Sequence, residues 1–119
     1  MTNKEMTVIY KKWKHRLGLD DWRIDFIPNC NPNQFSNRNS CGETEYAESI
    51  KCAVIKIIDE KYGYVCAPYA PLNIEKIIVH ELLHLKFCFL DDSDNEIQNR
   101  IVHQLIDDLA RAITFKEDK

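Results

Sequence analysis

The chain has 119 residues, 45% of them hydrophobic and 29% charged, with a formal net charge of −3. That is the size of one domain and an ordinary globular balance, which excludes predominant disorder and collagen-like or repeat architectures. No apolar run reaches the roughly 20 residues of a membrane span, and an acidic balance argues against a nucleic-acid partner, which a basic face would attract.

Residues 1–5 are polar and lead into an amphipathic segment, so no signal peptide is expected. The five cysteines, Cys30, Cys41, Cys52, Cys66 and Cys88, are odd in number and form no CxxC. The expectation is therefore free thiols and a cytoplasmic location. Cys30 and Cys41 bracket an Asn-rich loop and are the pair placed to approach each other.

Helical spacing of Met6, Ile9, Tyr10, Trp13 and Leu17 predicts a first helix over 2–18. Thr2 and Glu5 have capping-box spacing, and Gly18 supplies a stop. Trp22, Ile24 and Phe26 alternate with charged residues, which predicts a strand ending at Pro28. Residues 29–41 hold five Asn without periodicity and read as a loop. Strands are expected over 43–49 and 51–58, the second central because it is rich in Ile and Val, and an irregular connection over 60–72. A helix apolar nearly all round should run from Asn73 to about Phe89, buried on several sides. The acidic cluster at residues 91–94 ends it. A last helix, capped by Ser93 with Glu96 at capping-box spacing, should run to about Phe115 and bury Ile101, Leu105, Ile106, Leu109, Ala112 and Ile113. The last four residues are expected to fray. The fold class is α+β: an N-terminal helix, a small three-stranded, mostly antiparallel sheet, and two packed helices in one domain over 1–119.

Inside the apolar helix stands His80-Glu81-Leu82-Leu83-His84, an HExxH motif. Residues four apart share one helix face, so both imidazoles can aim at one point. Imidazole suits zinc, and two such ligands make half a tetrahedron. Glu81 lies about 100° round the helix from His80, placed to take a proton from a metal-activated water as general base. With four His and nine Glu in the chain, chance supplies such a motif in about one shuffled sequence per hundred. The bland alternative is a solvated helix edge with two ordinary histidines.

A catalytic zinc needs a third protein ligand. His103, Glu96 and the acidic residues Asp91, Asp92 and Asp94 are the candidates. Counted from a turn at 91–93, His84 lies about eight residues away and His103 about ten, so at 1.5 Å per residue the two are nearly level on antiparallel helices. Glu96 has a capping role open to it. Asp107, one turn after His103, could hydrogen-bond a ligand histidine and fix its tautomer, or be a solvated carboxylate beside Asp108. His15, among Lys14 and Arg16, reads as solvated. Trp13 and Trp22 read as core.

Ile-Ile-Val-His-Glu-Leu-Leu-His-Leu resembles the active-site helix of zincin metallopeptidases, and His103-x-x-x-Asp107 resembles the gluzincin arrangement, in which the third ligand is a glutamate. The match covers residues 74–113 and resembles a stripped zincin core of the small phage or bacterial type, SprT-like or minimal gluzincin. The resemblance implies His80, His84 and His103 as ligands of one Zn²⁺, Glu81 as general base and Asp107 supporting a ligand. It also implies a strand, 43–49 or 51–58, that pairs with extended substrate, and an oxyanion-stabilising tyrosine, for which Tyr46, Tyr62, Tyr64 and Tyr69 are all open. The function expected is a zinc metallopeptidase acting on a peptide or protein, with no nucleic-acid or membrane partner. The alternatives are a non-catalytic zinc-containing interaction or regulatory module, and a SprT-like protease of DNA-bound proteins, against which the lack of a basic tail and of zinc-ribbon cysteines counts.

Overall fold

A computed structural model describes residues 1–91 and 94–116. Helix α1 spans Asn3–Arg16 and is closed by the expected capping box, Thr2 accepting from the Glu5 amide and Glu5 from the Thr2 amide. Gly18, at φ +70°, turns the chain into the sheet in the left-handed region that glycine occupies at no steric cost. Strands β1 (Arg23–Cys30), β2 (Gly42–Ala47) and β3 (Cys52–Ile58) follow. A four-residue helix α2 (Gly63–Cys66) precedes the two long helices α3 (Ile74–Lys86) and α4 (Glu96–Ile113).

The strand order is β1-β3-β2. β3 is central, as its Ile and Val content suggested, because it enters between two strands already laid down. It pairs antiparallel with β2 through a tight connection and parallel with β1. The sheet is thus mixed rather than mostly antiparallel. Alternation reveals which residues face the core but not strand direction, so this could not be read from the pattern. β1 runs past Pro28, with Asn29 at φ +52° and a register shift between Ile27 and Cys30. An edge strand tolerates proline because one row of its backbone groups has no sheet partner to lose.

One sheet face carries the core. Ala53, Ile55 and Ile57 of β3 pack with Met6, Tyr10 and Trp13 of α1 and with Ile78, Leu82 and Leu85 of α3. Each fully buried Ile or Leu contributes about 1.5–3 kcal/mol. Trp22 is buried as expected. α3 touches α1, α4, β2 and β3, which is why it can be apolar nearly all round.

Three expectations are corrected. First, α4 is capped by Asn95, whose side chain accepts from the Gln98 amide. Glu96 is then the first helical residue and not a capping-box partner; Ser93 and Asp92 lie outside the described residues, as does the expected fraying beyond Lys116. Second, α4 buries Val102, Ile106 and Ala110, while Ile101, Leu105 and Ile113 of the expected stripe are exposed and Ala112 is exposed with them. The helix is rolled, for a reason given below. Third, Cys41 and Cys66 form a disulfide, leaving Cys30, Cys52 and Cys88 free. The bond joins the start of β2 to the end of α2, a long-range contact that spacing does not announce, and it removes the thiol argument for a reducing compartment. Among the described residues no helix is long and apolar enough to cross a membrane.

Glu75, on the face of α3 toward α1, anchors that packing. Burial alone would raise its pKa, but hydrogen bonds from Lys12, Trp13 and Lys116 outweigh it and lower the group from 4.5 to about 2. A carboxylate depressed by folding contributes stability above its unfolded value and loses it as pH falls through its folded one. Because the lysine partners are exposed, the contribution is discounted to about 2 kcal/mol. Urea unfolding should therefore find Glu75→Gln less stable by about that amount at pH 7, the gap closing as pH falls through about 2. A gap that persists at the acid end would contradict the assignment.

Candidate metal centre

α3 presents His80 and His84 on one face, and α4 brings His103 across from the antiparallel side. Their ring centroids lie 5.0, 5.0 and 5.5 Å apart, and one nitrogen from each lies within 4.8 Å of the others. Among the described residues this is the group that could hold a metal ion; Glu96, Asp91 and Asp94 are not part of it. The near-level placement expected for His84 and His103 is therefore met. His15 is 80% exposed and faces Asp20 instead.

The chemistry of the donor set fits zinc. Burial first, then repulsion from His80 and His103, lowers the His84 pKa to about 4. Burial and His103 likewise lower His80, against the opposing pull of Asp107. Zinc takes neutral imidazole, and these two are kept unprotonated at neutral pH. The nitrogens of a tetrahedral zinc site lie about 3.3 Å apart at ordinary bond lengths, so small side-chain rotations close the set. Asp107 Oδ1 stands 3.4 Å from His80 Nδ1 and 3.7 Å from Lys76 Nζ, the position from which a carboxylate fixes a ligand's tautomer and leaves Nε2 for the metal.

The inward face of β2 completes the site. Gly42, Thr44 and Tyr46 alternate along the strand, and all three line one cavity of about 620 Å³ with the histidines, Glu81 and Asp107. Thr44 donates its hydroxyl to Glu81 Oε1 at 2.7 Å. A Cβ at Gly42 would lie 2.8 Å from Glu81 Oε2, so only glycine leaves that oxygen room. Glu81 is 7% exposed. Burial, opposed by the Thr44 hydrogen bond and reinforced by Glu43, raises its pKa to about 7.

Of the tyrosines, Tyr46 is the one in the cavity wall, and it donates to Asp91. Tyr64 and Tyr69 are exposed, and Tyr62 packs on a small cluster around Cys30. Thr44, Gly42 and Lys76 are not marked by any motif in the sequence. The first two share only the period of a strand, and Lys76 only its position four residues before His80.

Two outcomes are expected. His103→Ala should weaken zinc binding by more than about 100-fold, and Asp107→Asn by about 10-fold, in competition with a chelator; unchanged affinity in His103→Ala removes α4 from the site. In metal-free protein, Glu81 holds its proton more tightly folded than unfolded, so stability falls as pH rises from 4.5 through about 7. Glu81→Gln should then be more stable than the native chain at pH 8, by up to about 3 kcal/mol, and no more stable at pH 4.

Compared with protein-family models, curated proteins and solved structures, the chain matches none.

Proposed function

We propose that this protein is a zinc-dependent peptidase, with His80, His84 and His103 holding the ion and Glu81 acting as general base. The observation that carries the reading is the meeting of three imidazoles and one buried, near-neutral carboxylate in a single open cavity. A general base works best with a pKa near the operating pH, and about 7 satisfies that. When bound, the ion would lower the pKa of a coordinated water and polarise a carbonyl.

The protein's own groups supply the rest. Thr44 engages Glu81 Oε1 and so leaves Oε2 to take the water's proton and return it to the departing amine nitrogen. Asp107 holds His80 in one tautomer. β2 is an edge of the sheet, and consecutive residues from Ser40 to Thr44 line the cavity, so its backbone edge is available to an extended peptide by strand addition.

A second reading, a zinc-bearing interaction module without turnover, is favoured by one observation: Ile97, Ile101 and Leu105 form an exposed apolar row on α4. Peptide-library and unfolded-protein digests separate the two readings when zinc content is measured on the same sample. Glu81→Gln should keep one zinc per chain and lose at least about 100-fold in turnover. Unchanged hydrolysis in that variant defeats the mechanism, and a fully zinc-loaded native protein that cuts nothing leaves the interaction module.

A further inference from the structure

We propose that Lys76 binds a substrate carboxylate one or two residues beyond the bond that is cut, so that the site selects peptides carrying an anion there. The inference rests on the peptidase reading and names its substrate class. Lys76, His80 and His84 occupy positions i, i+4 and i+8, one row on α3. Lys76 is thus about 6 Å along the helix from His80, the span of about two residues of extended peptide.

Among the described residues it is the sole lysine or arginine lining the cavity, whose inward carboxylates are Glu81 and Asp107, while Glu43 turns its own to Ser36 and Lys56. Away from the three imidazoles, Lys76 is thus the cationic group of the wall to which an incoming carboxylate is drawn. The ammonium is not fully engaged within the fold. Among the described residues its ion-pair partner is Asp107 at 3.7 Å, beyond hydrogen-bond reach, and Asp107 is shared with His80. About a third of the Lys76 side chain remains exposed, at 32%. The first-turn amide of Lys76 is already taken by Asn73, so the side chain, not the helix end, supplies the recognition. Beside it the wall is apolar, made by Ala70, Pro71, Leu72 and Ile77. A residue with an apolar side chain and a free main-chain carboxylate matches that pairing; an acidic side chain within a longer peptide offers the same charge.

Three peptides distinguish these sources: N-acetyl-Ala-Ala-Leu as the free acid, the same peptide as its amide, and the amide with Asp in place of Leu. Binding is read calorimetrically on zinc-loaded protein carrying Glu81→Gln, without turnover, and hydrolysis is read separately on the zinc-loaded native chain. At least one acidic peptide should bind about tenfold or more tightly than the plain amide, as a charge-assisted contact requires, and which one does so identifies the source. Adding Lys76→Met should bring that ratio below about twofold at equal zinc content, whereas Lys76→Arg should preserve it. The inference is overturned if no peptide shows a carboxylate preference, including by failing to bind. It is overturned equally if the preference survives Lys76→Met, the result expected of a carboxylate seated on zinc itself. A Lys76-dependent preference without hydrolysis in the native chain defeats the peptidase reading and leaves Lys76 as the carboxylate contact of a peptide-binding site. Hydrolysis blind to the carboxylate does the reverse.

Discussion

Bringing three imidazoles to one point fixes how α4 can roll against α3. Each residue turns a helix by about 100°. The apolar arc of α4 centres on Leu109, about 120° round the helix from His103. A roll that centred that arc on the core would carry His103, already exposed, farther from His80 and His84. The observed roll buries Val102, Ile106 and Ala110, keeps His103 and Asp107 beside α3, and leaves Ile97, Ile101 and Leu105 outside. Burial alone would favour a roll centred on Leu109, since each exposed Ile or Leu forgoes about 1.5–3 kcal/mol. The pattern of the sequence and the packing of the helix disagree at the one place where a metal cluster would offset the difference. Local rules are expected to break at functional sites.

That conflict also explains which features the sequence revealed. HExxH spacing is a statement about one helix, and it survives any tertiary arrangement. The level placement of His84 and His103 needed only rise per residue and a short turn. The roll of α4 needed more: a judgement between an apolar stripe and a histidine, and the stripe was the stronger local signal. The Ser93 cap failed because Asn95 offers the same side-chain acceptor two residues later, and both fit the alphabet of caps. The Cys41–Cys66 bond and the parallel pairing of β1 with β3 depend on where distant segments meet, which no short-range period encodes.

The strand beside the site shows the same division between core and chemistry. In a half-buried strand the inward positions ordinarily feed the core. β3 does this with Ala53, Ile55 and Ile57. β2 instead turns Gly42, Thr44 and Tyr46 toward α3. Gly42 leaves room for one oxygen of Glu81, Thr44 gives the other a hydrogen bond, and Tyr46 ties the strand to Asp91 before α4. Tyr46 still reaches the core, edge-on to Trp22, but Gly42 and Thr44 are poor core material, and the sheet can spare them because β3 and the helices bury enough without them.

The strain of the arrangement falls on the metal-free protein. Two histidines whose charged forms are penalised, and a carboxylate whose pKa has risen to about 7, are groups that folding has desolvated without full compensation. Thr44 satisfies one oxygen of Glu81, and Asp107 stands by one nitrogen of His80. Nothing comparable serves His84 among the described residues. A divalent cation would meet all three imidazoles at once and replace lost hydration with coordination. On this reasoning an ion bound there would add to folding as well as to chemistry, and would supply the free energy that the packing around so polar a cluster does not.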